Sequence, residues 1–243
     1  MCPAPAPAPA ARAHLEVVPL FACLNSLERG IVLPHCRVLV FRKGDVLFEE
    51  GERTSLLSFV VLGSVKVVKR SEDRSLVVRM LGPGDPVGIV AALQSIPYPA
   101  SAVAVEPTTV LQIPERDFFG LADRHPEITR QLLQMFMLRQ AELAQRLQDL
   151  TLSVERRVAR TLLLFSRKIG RTEGGGVFIP LSLNRQDIAD LAGTTIETAI
   201  RVMSRWGKEG LVVTRENGFS IPDPERLRGV AEGPDGGNER QAS

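Results

Sequence analysis

The stretch LNRQDIADLAGTTIETAIRVMSRWGKEGL, residues 183–211, decides the fold of the C-terminal half of the chain. Asn184 is a residue type preferred just before the first turn of a helix, and Gly193 suits a tight turn after that helix. Thr195 can cap a second helix, in which apolar residues recur at the spacing of one helical face. The stretch therefore predicts a helix-turn-helix whose second helix covers residues 195 to about 208.

The second predicted helix has two faces of opposite character. The apolar face is expected to pack in the core and carries Ala199, Val202, Met203 and Trp206. The opposite face has the chemistry of base readout and carries Glu197, Ile200, Arg201 and Ser204. Arg201 can donate two hydrogen bonds to guanine, Glu197 can accept one from cytosine, and Glu197 can orient the Arg201 guanidinium. An ordinary surface ion pair between these two side chains is the alternative.

Phosphate contacts are expected from side chains around that face, because such contacts set the register of a protein on a duplex. The candidates are Arg185, Thr194, Thr195, Arg205 and Lys208. Residues 153–221 hold eleven Lys/Arg and seven Asp/Glu, a balance of +4, so the rest of the chain carries −2 of the total +2. The positive excess therefore lies in the half that contains the helix-turn-helix, as phosphate binding requires.

A hairpin follows the two helices. Glu216-Asn217-Gly218 separates two short β runs, and an Asn-Gly pair there predicts a "wing". Before the motif, Ser153 predicts the start of a helix to about Ile169, residues 171–176 read as a flexible turn, and residues 177–180 as a short strand.

Residues 37–114 read as short strands rich in β-branched residues, with turn signals such as Gly82-Pro83-Gly84-Asp85 between them. This pattern predicts an antiparallel barrel or sandwich. Farther along, a heptad spacing over about three heptads predicts the seam of a two-stranded coiled coil, with a single amphipathic helix on the β region as the alternative. The seam residues are Leu133, Phe136, Gln140, Leu143, Leu147 and Leu150.

The predicted fold class is α+β, with an antiparallel, jelly-roll-like β-roll, a long dimerisation helix and a winged helix-turn-helix. The expected divisions are a disordered Pro/Ala tail at 1–14, the β-roll at 15–124, the helix at 125–152, the DNA-binding domain at 153–228 and a disordered tail at 229–243. The Pro-rich start does not resemble an export signal and no apolar run is long enough to cross a membrane, so we expect a cytoplasmic protein.

Enzymatic activity is not expected. The sequence holds no P-loop, GxSxG, HExxH or dinucleotide-binding fingerprint. Its three cysteines (Cys2, Cys23, Cys36) and three histidines (His14, His35, His125) do not form the spacing of a structural zinc site. We therefore expect no metal site and no catalytic residues.

Residues from about 20 to 228 resemble the CRP/FNR superfamily of bacterial transcription regulators, with the closest similarity over residues 183–211 and a second match at FRKGDVLFEEGE, residues 41–52. The resemblance implies a homodimer that binds palindromic double-stranded DNA, contacts RNA polymerase and usually activates transcription. Ile196 and Ile200 stand where related regulators often have polar readers. A ligand-binding or sensing module that acts mainly through protein contacts is the competing hypothesis, and it predicts no salt-dependent DNA affinity.

The resemblance also locates an effector pocket, for which the candidates are Gly84, Gly88, Ile89, Ala100, Ser101 and Gln140. Members that bind cyclic AMP have a Glu and an Arg where this chain has Ile89 and Ala100. A buried phosphate without a cationic partner carries a large desolvation cost, so we expect no tight binding of cyclic AMP.

Effectors other than cyclic AMP remain to be considered. The cysteines do not match the spacing by which this superfamily holds an iron–sulfur cluster, so a cluster is not expected. A histidine, or the pair His35-Cys36, leaves haem as an alternative, and a thiol switch at Cys23 or Cys36 is another. An apolar metabolite or no ligand at all are the remaining readings.

Overall fold

The structure, a computed structural model, describes residues 14–71, 74–149, 151–181 and 183–233. It consists of two compact units, Met1–Glu142 and Leu143–Ser243. The tail expected at 1–14 lies outside the described residues except for His14, which lies in a helical turn. Among the described residues, no helix combines the length and the apolar character that a membrane span requires.

The first unit is built on two four-stranded sheets whose described strands pair antiparallel, which confirms the predicted β-roll. The strands are β1 Arg37–Phe41, β2 Val46–Phe48, β3 Leu56–Leu62, β4 Val65–Ser71, β5 Arg74–Leu81, β6 Pro86–Val87, β7 Ser101–Ala104 and β8 Thr108–Pro114. One sheet has the order β1-β8-β3-β6, and the other has the order β2-β7-β4-β5.

Helices cover part of this unit: α1 Ser26–Val32, α2 Ile89–Gln94, α3 Glu115–Arg124 and the start of α4 Pro126–Asp149. Aromatic rings join α3 to the sheet, with Phe21 edge-on to Phe59 of β3 at 5.3 Å between centroids and to Phe118 of α3 at 6.3 Å. Large buried rings of this kind contribute much of a core's stability, since each removes a large apolar area from water. The long helix predicted at 125–152 is confirmed as α4.

Much of the apolar surface of α4 faces solvent. Leu133, Leu143 and Leu147 are 60%, 53% and 61% exposed, as a seam awaiting a second helix requires. Phe136 differs from the prediction, because it packs against the core of its own unit. Met137, 65% exposed, lies on the solvent side instead. Leu150 lies outside the described residues.

The second unit contains α5 Val154–Ile169, β9 Arg171–Glu173, β10 Gly176–Ile179, α6 Arg185–Ala192, α7 Ile196–Lys208, β11 Val213–Arg215, β12 Gly218–Ile221 and α8 Pro224–Glu232. Its strands form one sheet in the order β11-β12-β10-β9. The helix from Ser153 and the hairpin at Asn217 are confirmed.

Two predictions for this unit were wrong. Residues 171–176 are not a simple flexible turn, because β9 pairs with β10 through Thr172 and Val177 and only the tip of the hairpin is a turn. Residues 229–232 are not part of a disordered tail, because they form the last turn of α8, where Ala231 is buried. Residues 234–243 lie outside the described residues.

Candidate nucleic-acid interface

Helix α6 has a well-formed start and a sharp stop. The Asn184 side chain accepts a hydrogen bond from the Asp187 backbone at 2.8 Å, and the Asp187 carboxylate accepts one from the Asn184 backbone at 3.1 Å. This reciprocal pair satisfies two backbone donors that a helix start leaves free. Gly193 ends the helix in a left-handed conformation (φ 62°), which glycine adopts without strain. The predicted cap and turn are therefore confirmed.

Helix α7 starts at Ile196, three residues after that glycine, with Thr195 as its N-cap. Its apolar face is buried as predicted, with Ala199, Val202, Met203 and Trp206 between 0% and 5% exposed. Trp206, the chain's single tryptophan, is 1% exposed. Because one whole side of α7 is held in the core, the opposite side has a fixed direction.

The opposite side of α7 faces solvent. Glu197, Ile200, Arg201 and Ser204 are exposed. Arg201 donates from Nη2 to Thr198 Oγ1 at 3.3 Å, so the expected orientation of Arg201 by Glu197 is not observed. The Glu197 carboxylate accepts from its own backbone amide and from the Thr195 hydroxyl, and both bonds lower its pKa. The helix start attracts the carboxylate, since its amide groups carry partial positive charge.

The predicted phosphate-contacting residues have unequal surroundings. Lys208 is exposed at the end of α7. Arg185 donates to Thr214 Oγ1 of β11 at 2.9 Å, and burial lowers its pKa. Arg205 is held by Glu155 at 2.6 Å and faces Glu209 at 3.7 Å. These carboxylates raise the pKa of Arg205 and balance its charge, so phosphate binding by Arg205 would compete with its pairing to Glu155.

Thr194 and Thr195 both lie at the turn before α7, Thr194 half-buried and Thr195 exposed. The wing lies on the same unit and has a closely packed base. A Cβ on Gly218 would lie 2.0 Å from the Ile179 carbonyl oxygen, so the hairpin requires glycine there. Arg215 on β11 pairs with Glu173 on β9 at 2.7 Å, and this ion pair joins the two edge strands of the four-stranded sheet.

The predicted effector residues of the first unit lie in an apolar environment. Ile89 and Ala100 are 2% and 8% exposed. Ser101, also buried, accepts from the Glu50 backbone through Oγ at 2.9 Å.

Tyr98 is buried against Phe48 and Gly88, a feature that sequence reasoning missed. Its ring stacks on Phe48 with 3.6 Å between centroids, and a Cβ on Gly88 would meet Tyr98 Cε1 at 2.3 Å. Gly84, buried, faces Pro19, which a Cβ there would meet at 3.1 Å. Tyr98 gave no sequence signal for this role, because its stacking partner Phe48 lies fifty residues earlier in the chain.

Gln140, the last predicted pocket residue, is exposed on α4. Its neighbour Arg139 is the residue that reaches the β-roll, with Nη2 3.4 Å from Asp85 Oδ1. Burial, and then the charge of Arg79, lower the pKa of Arg139. Arg79 itself lies 3.7 Å from Glu142. Two arginines and two carboxylates therefore form a charge-balanced group at this place.

The cysteines and histidines considered for a thiol switch or for haem have the following surroundings. Burial raises the pKa of Cys36 to about 12, and burial also raises that of Cys23. His35 lies 3.1 Å from Asp117, and His125 lies 2.7 Å from Glu28. Within the described part of the chain, no three His, Cys, Asp or Glu side chains form a group that could hold a metal ion. His14 is half-buried.

Comparisons with known proteins agree with this architecture. Residues 38–125 match the family model of the cyclic nucleotide-binding domain, and residues 156–230 match that of the Crp-like helix-turn-helix domain. The chain is 30% identical over 191 residues to the CRP-like cAMP-activated global transcriptional regulator of Mycobacterium tuberculosis, covering 77% of this chain and 84% of that protein. It is 28% identical to the transcriptional activator protein Anr of Pseudomonas protegens, over 79% of each chain.

Solved structures show the same fold. A CRP-family transcriptional regulator of Thermus thermophilus superposes with a TM-score of 0.67 at 25% sequence identity, covering 80% of this chain and 96% of that one.

Proposed function

Because the chain belongs to the CRP/FNR superfamily of transcription regulators, we propose that it binds a palindromic DNA site as a homodimer and activates transcription through contact with RNA polymerase. The name of the Anr relative supports activation. The observation that carries the proposal is the fixed, solvent-facing polar side of α7, which is the kind of surface that reads base edges in the major groove.

Dimer formation is supported by the exposed apolar side chains of α4. Leu133, Met137, Leu138, Leu143 and Leu147 are all more than half exposed. A row of large apolar side chains in water is unfavourable, and a second copy of the same helix would cover it. A two-fold dimer places two α7 helices on half-sites roughly 34–36 Å apart.

Base reading is assigned to four residues, Glu197, Ile200, Arg201 and Ser204. Arg201 is exposed and donates to Thr198 Oγ1 at 3.3 Å, so its guanidinium can turn to guanine at little cost. Ile200 is 45% exposed and offers an apolar contact for a thymine methyl group. This apolar reader favours a half-site in which a thymine neighbours the guanine.

Contacts with the DNA phosphates are assigned to Lys208, Arg185, Thr194 and Thr195. Arg205 contributes only when it leaves Glu155. Such contacts bind every sequence alike and make the affinity fall as salt rises.

The proposal is tested by selecting bound DNA from a random pool with the purified protein, with and without cell extract. The expected result is enrichment of two inverted half-sites. Enrichment only with extract would assign an effector from the extract to the β-roll, whereas no enrichment in either arm would contradict sequence-specific binding.

We also propose that the effector is not cyclic AMP, although the mycobacterial relative is named as activated by it. At the position where cyclic-AMP-binding members have an arginine, this chain has the buried Ala100, and Tyr98 is packed against Gly88 beside it. A phosphate in such surroundings would have no cationic partner. Calorimetry is expected to show no saturable heat, and a dissociation constant in the low micromolar range or tighter would contradict the proposal.

A further inference from the structure

Arg157 on α5 contacts three backbone carbonyl groups from two separate parts of the DNA-binding unit. Its Nη1 donates to Leu152 at 2.8 Å, in the segment just before α5. Its Nε donates to Ala192 at 2.8 Å, and its Nη2 donates to Gly193 at 3.0 Å. The half-buried guanidinium therefore joins the start of α5 to the turn of the helix-turn-helix.

The chemistry of that turn explains why an arginine suits the position. Ala192 ends α6 and Gly193 is its C-cap, so their carbonyl groups lack partners inside the helix. The carbonyl end of a helix also carries partial negative charge, which favours a cation. Arginine is always charged and offers several N–H donors in one rigid plane, so one side chain can satisfy all three oxygens.

Two neighbouring arginines of α5 also donate to backbone carbonyl groups, but at a different place in the unit, and they provide a comparison. Arg156 and Arg160 each donate from Nε to the Ala231 carbonyl at 3.3 Å, at the end of α8. Arg160 also pairs with Asp149. Arg157, by contrast, donates to the turn before the recognition helix.

We propose that Arg157 is a positioning residue that sets the direction of α7 and thereby the specificity of base reading. The inference rests on the proposed reading of bases by α7. Thr195, the N-cap of α7, lies two residues after Gly193, so a movement of the turn displaces the whole outward face. Base contacts need side chains placed within about 0.5 Å, whereas phosphate contacts by flexible side chains tolerate a larger displacement.

The test compares three variants at one salt concentration, on the selected DNA site and on an unrelated duplex. Arg157→Met keeps the length of the stem and removes every donor. Arg157→Lys keeps the charge but lacks the planar fork. Arg160→Met is the matched control, since it removes an arginine of the same helix that contacts α8. The folded fraction of each variant is measured by urea denaturation, and affinities are corrected for it.

Arg157→Met is expected to lower affinity for the selected site by about tenfold or more, while affinity for the unrelated duplex changes less than about twofold. Arg157→Lys is expected to fall between wild type and Arg157→Met, and it serves as the test variant if Arg157→Met does not fold. Arg160→Met is expected to leave the ratio of the two affinities unchanged. An unchanged ratio in the Arg157 variants, or an equal loss on both DNAs, would overturn the proposal.

Hydrogen exchange of the free protein separates this inference from the proposed function. The Gly193 amide donates to the Asp190 carbonyl oxygen at 3.2 Å, and the Thr194 amide donates to the Ala189 carbonyl oxygen at 2.9 Å. Both amides are expected to exchange about tenfold faster in Arg157→Met and at the wild-type rate in Arg160→Met. If wild-type protein showed no sequence preference, the proposed base reading would be wrong. Unchanged exchange of these two amides in Arg157→Met would then overturn the role of Arg157 as well. Faster exchange with an unchanged affinity ratio would reduce Arg157 to a structural residue.

Discussion

The recognition helix α7 and the segment from Gly84 to Ser101 in the β-roll differ in what they offer a ligand. In α7 the polar side chains face solvent and the apolar ones are buried, so charged groups such as Arg201 are free to meet DNA. In the β-roll segment, Ile89 and Ala100 are buried and Tyr98 occupies the space beside Gly88. The chain therefore has the fold of a cyclic nucleotide-binding domain and of a helix-turn-helix domain, yet it presents polar ligand-binding chemistry in only one of these two segments.

The physical cause is the cost of leaving a phosphate unpaired. An exposed arginine on α7 is solvated until DNA arrives, and its contact with a phosphate or base then replaces water. A cyclic nucleotide inside the β-roll would lose its water and gain no cation from Ala100. The two regions are therefore expected to respond differently to the same kind of ligand.

The largest expected effect tests whether α7 depends on its buried side. Trp206→Ala should lower the free energy of unfolding by about 3–5 kcal/mol, because it leaves a large cavity under the helix. Urea denaturation measures this change. Ser204→Ala, on the exposed side of the same helix, should change it by no more than about 0.5 kcal/mol. Equal effects from the two substitutions would break the assignment of buried and exposed faces.

The second prediction tests whether the first unit carries a reactive thiol. With its pKa at about 12, Cys36 is protonated at neutral pH, so its thiolate is scarce. Alkylation of Cys36 by iodoacetamide at pH 8 should be about a thousandfold slower than that of an ordinary exposed thiol, and should rise about tenfold per pH unit between pH 7 and 10. Mass spectrometry of the Cys36 peptide gives the rate, with Cys36→Ser as the control. Rapid alkylation of Cys36 at pH 7 would contradict this prediction and favour a thiol switch.

The smallest effect compares two cations of α7. Lys208→Ala should lower the slope of log affinity against log salt by about one, as the loss of a phosphate contact does. Arg205→Ala should change the slope less, because Glu155 holds the Arg205 side chain at 2.6 Å. Filter binding or fluorescence anisotropy over a salt series measures both slopes. A larger change for Arg205 would mean that its ion pair opens on DNA.

Sequence reasoning succeeded where the pattern is long and local. The apolar spacing of α7 over thirteen residues determined which side is buried, and Asn184 and Gly193 marked the ends of α6. Helices α1 and α2 were missed because they have seven and six residues, too few to show a helical period. Strand β9 was missed because all three of its residues are exposed and carry no apolar alternation.

Contacts between distant residues account for most of what was missed at the sites. Arg139 and Asp85 are 54 positions apart, and the contacts of Arg157 with Ala192 and Gly193 span 35 and 36 positions. The acceptors of Arg157 are backbone carbonyl groups, which every residue has, so no side-chain pattern marks them. The expected contact of Glu197 with Arg201 is replaced by local ones, since the Glu197 carboxylate accepts from groups at the start of α7 and Arg201 donates to Thr198.

Whether the outward face of α7 reads bases is measured by comparing the base preferences of wild type and of Arg201→Ala, each determined from a random DNA pool. Arg201→Ala is expected to lose the preference for one guanine in each half-site, at a cost of about 1–3 kcal/mol, and to keep the preferences elsewhere. Lys208→Ala should keep every preference and bind all sequences more weakly. If Arg201→Ala weakened all sequences equally and left every preference intact, the account of α7 would be contradicted.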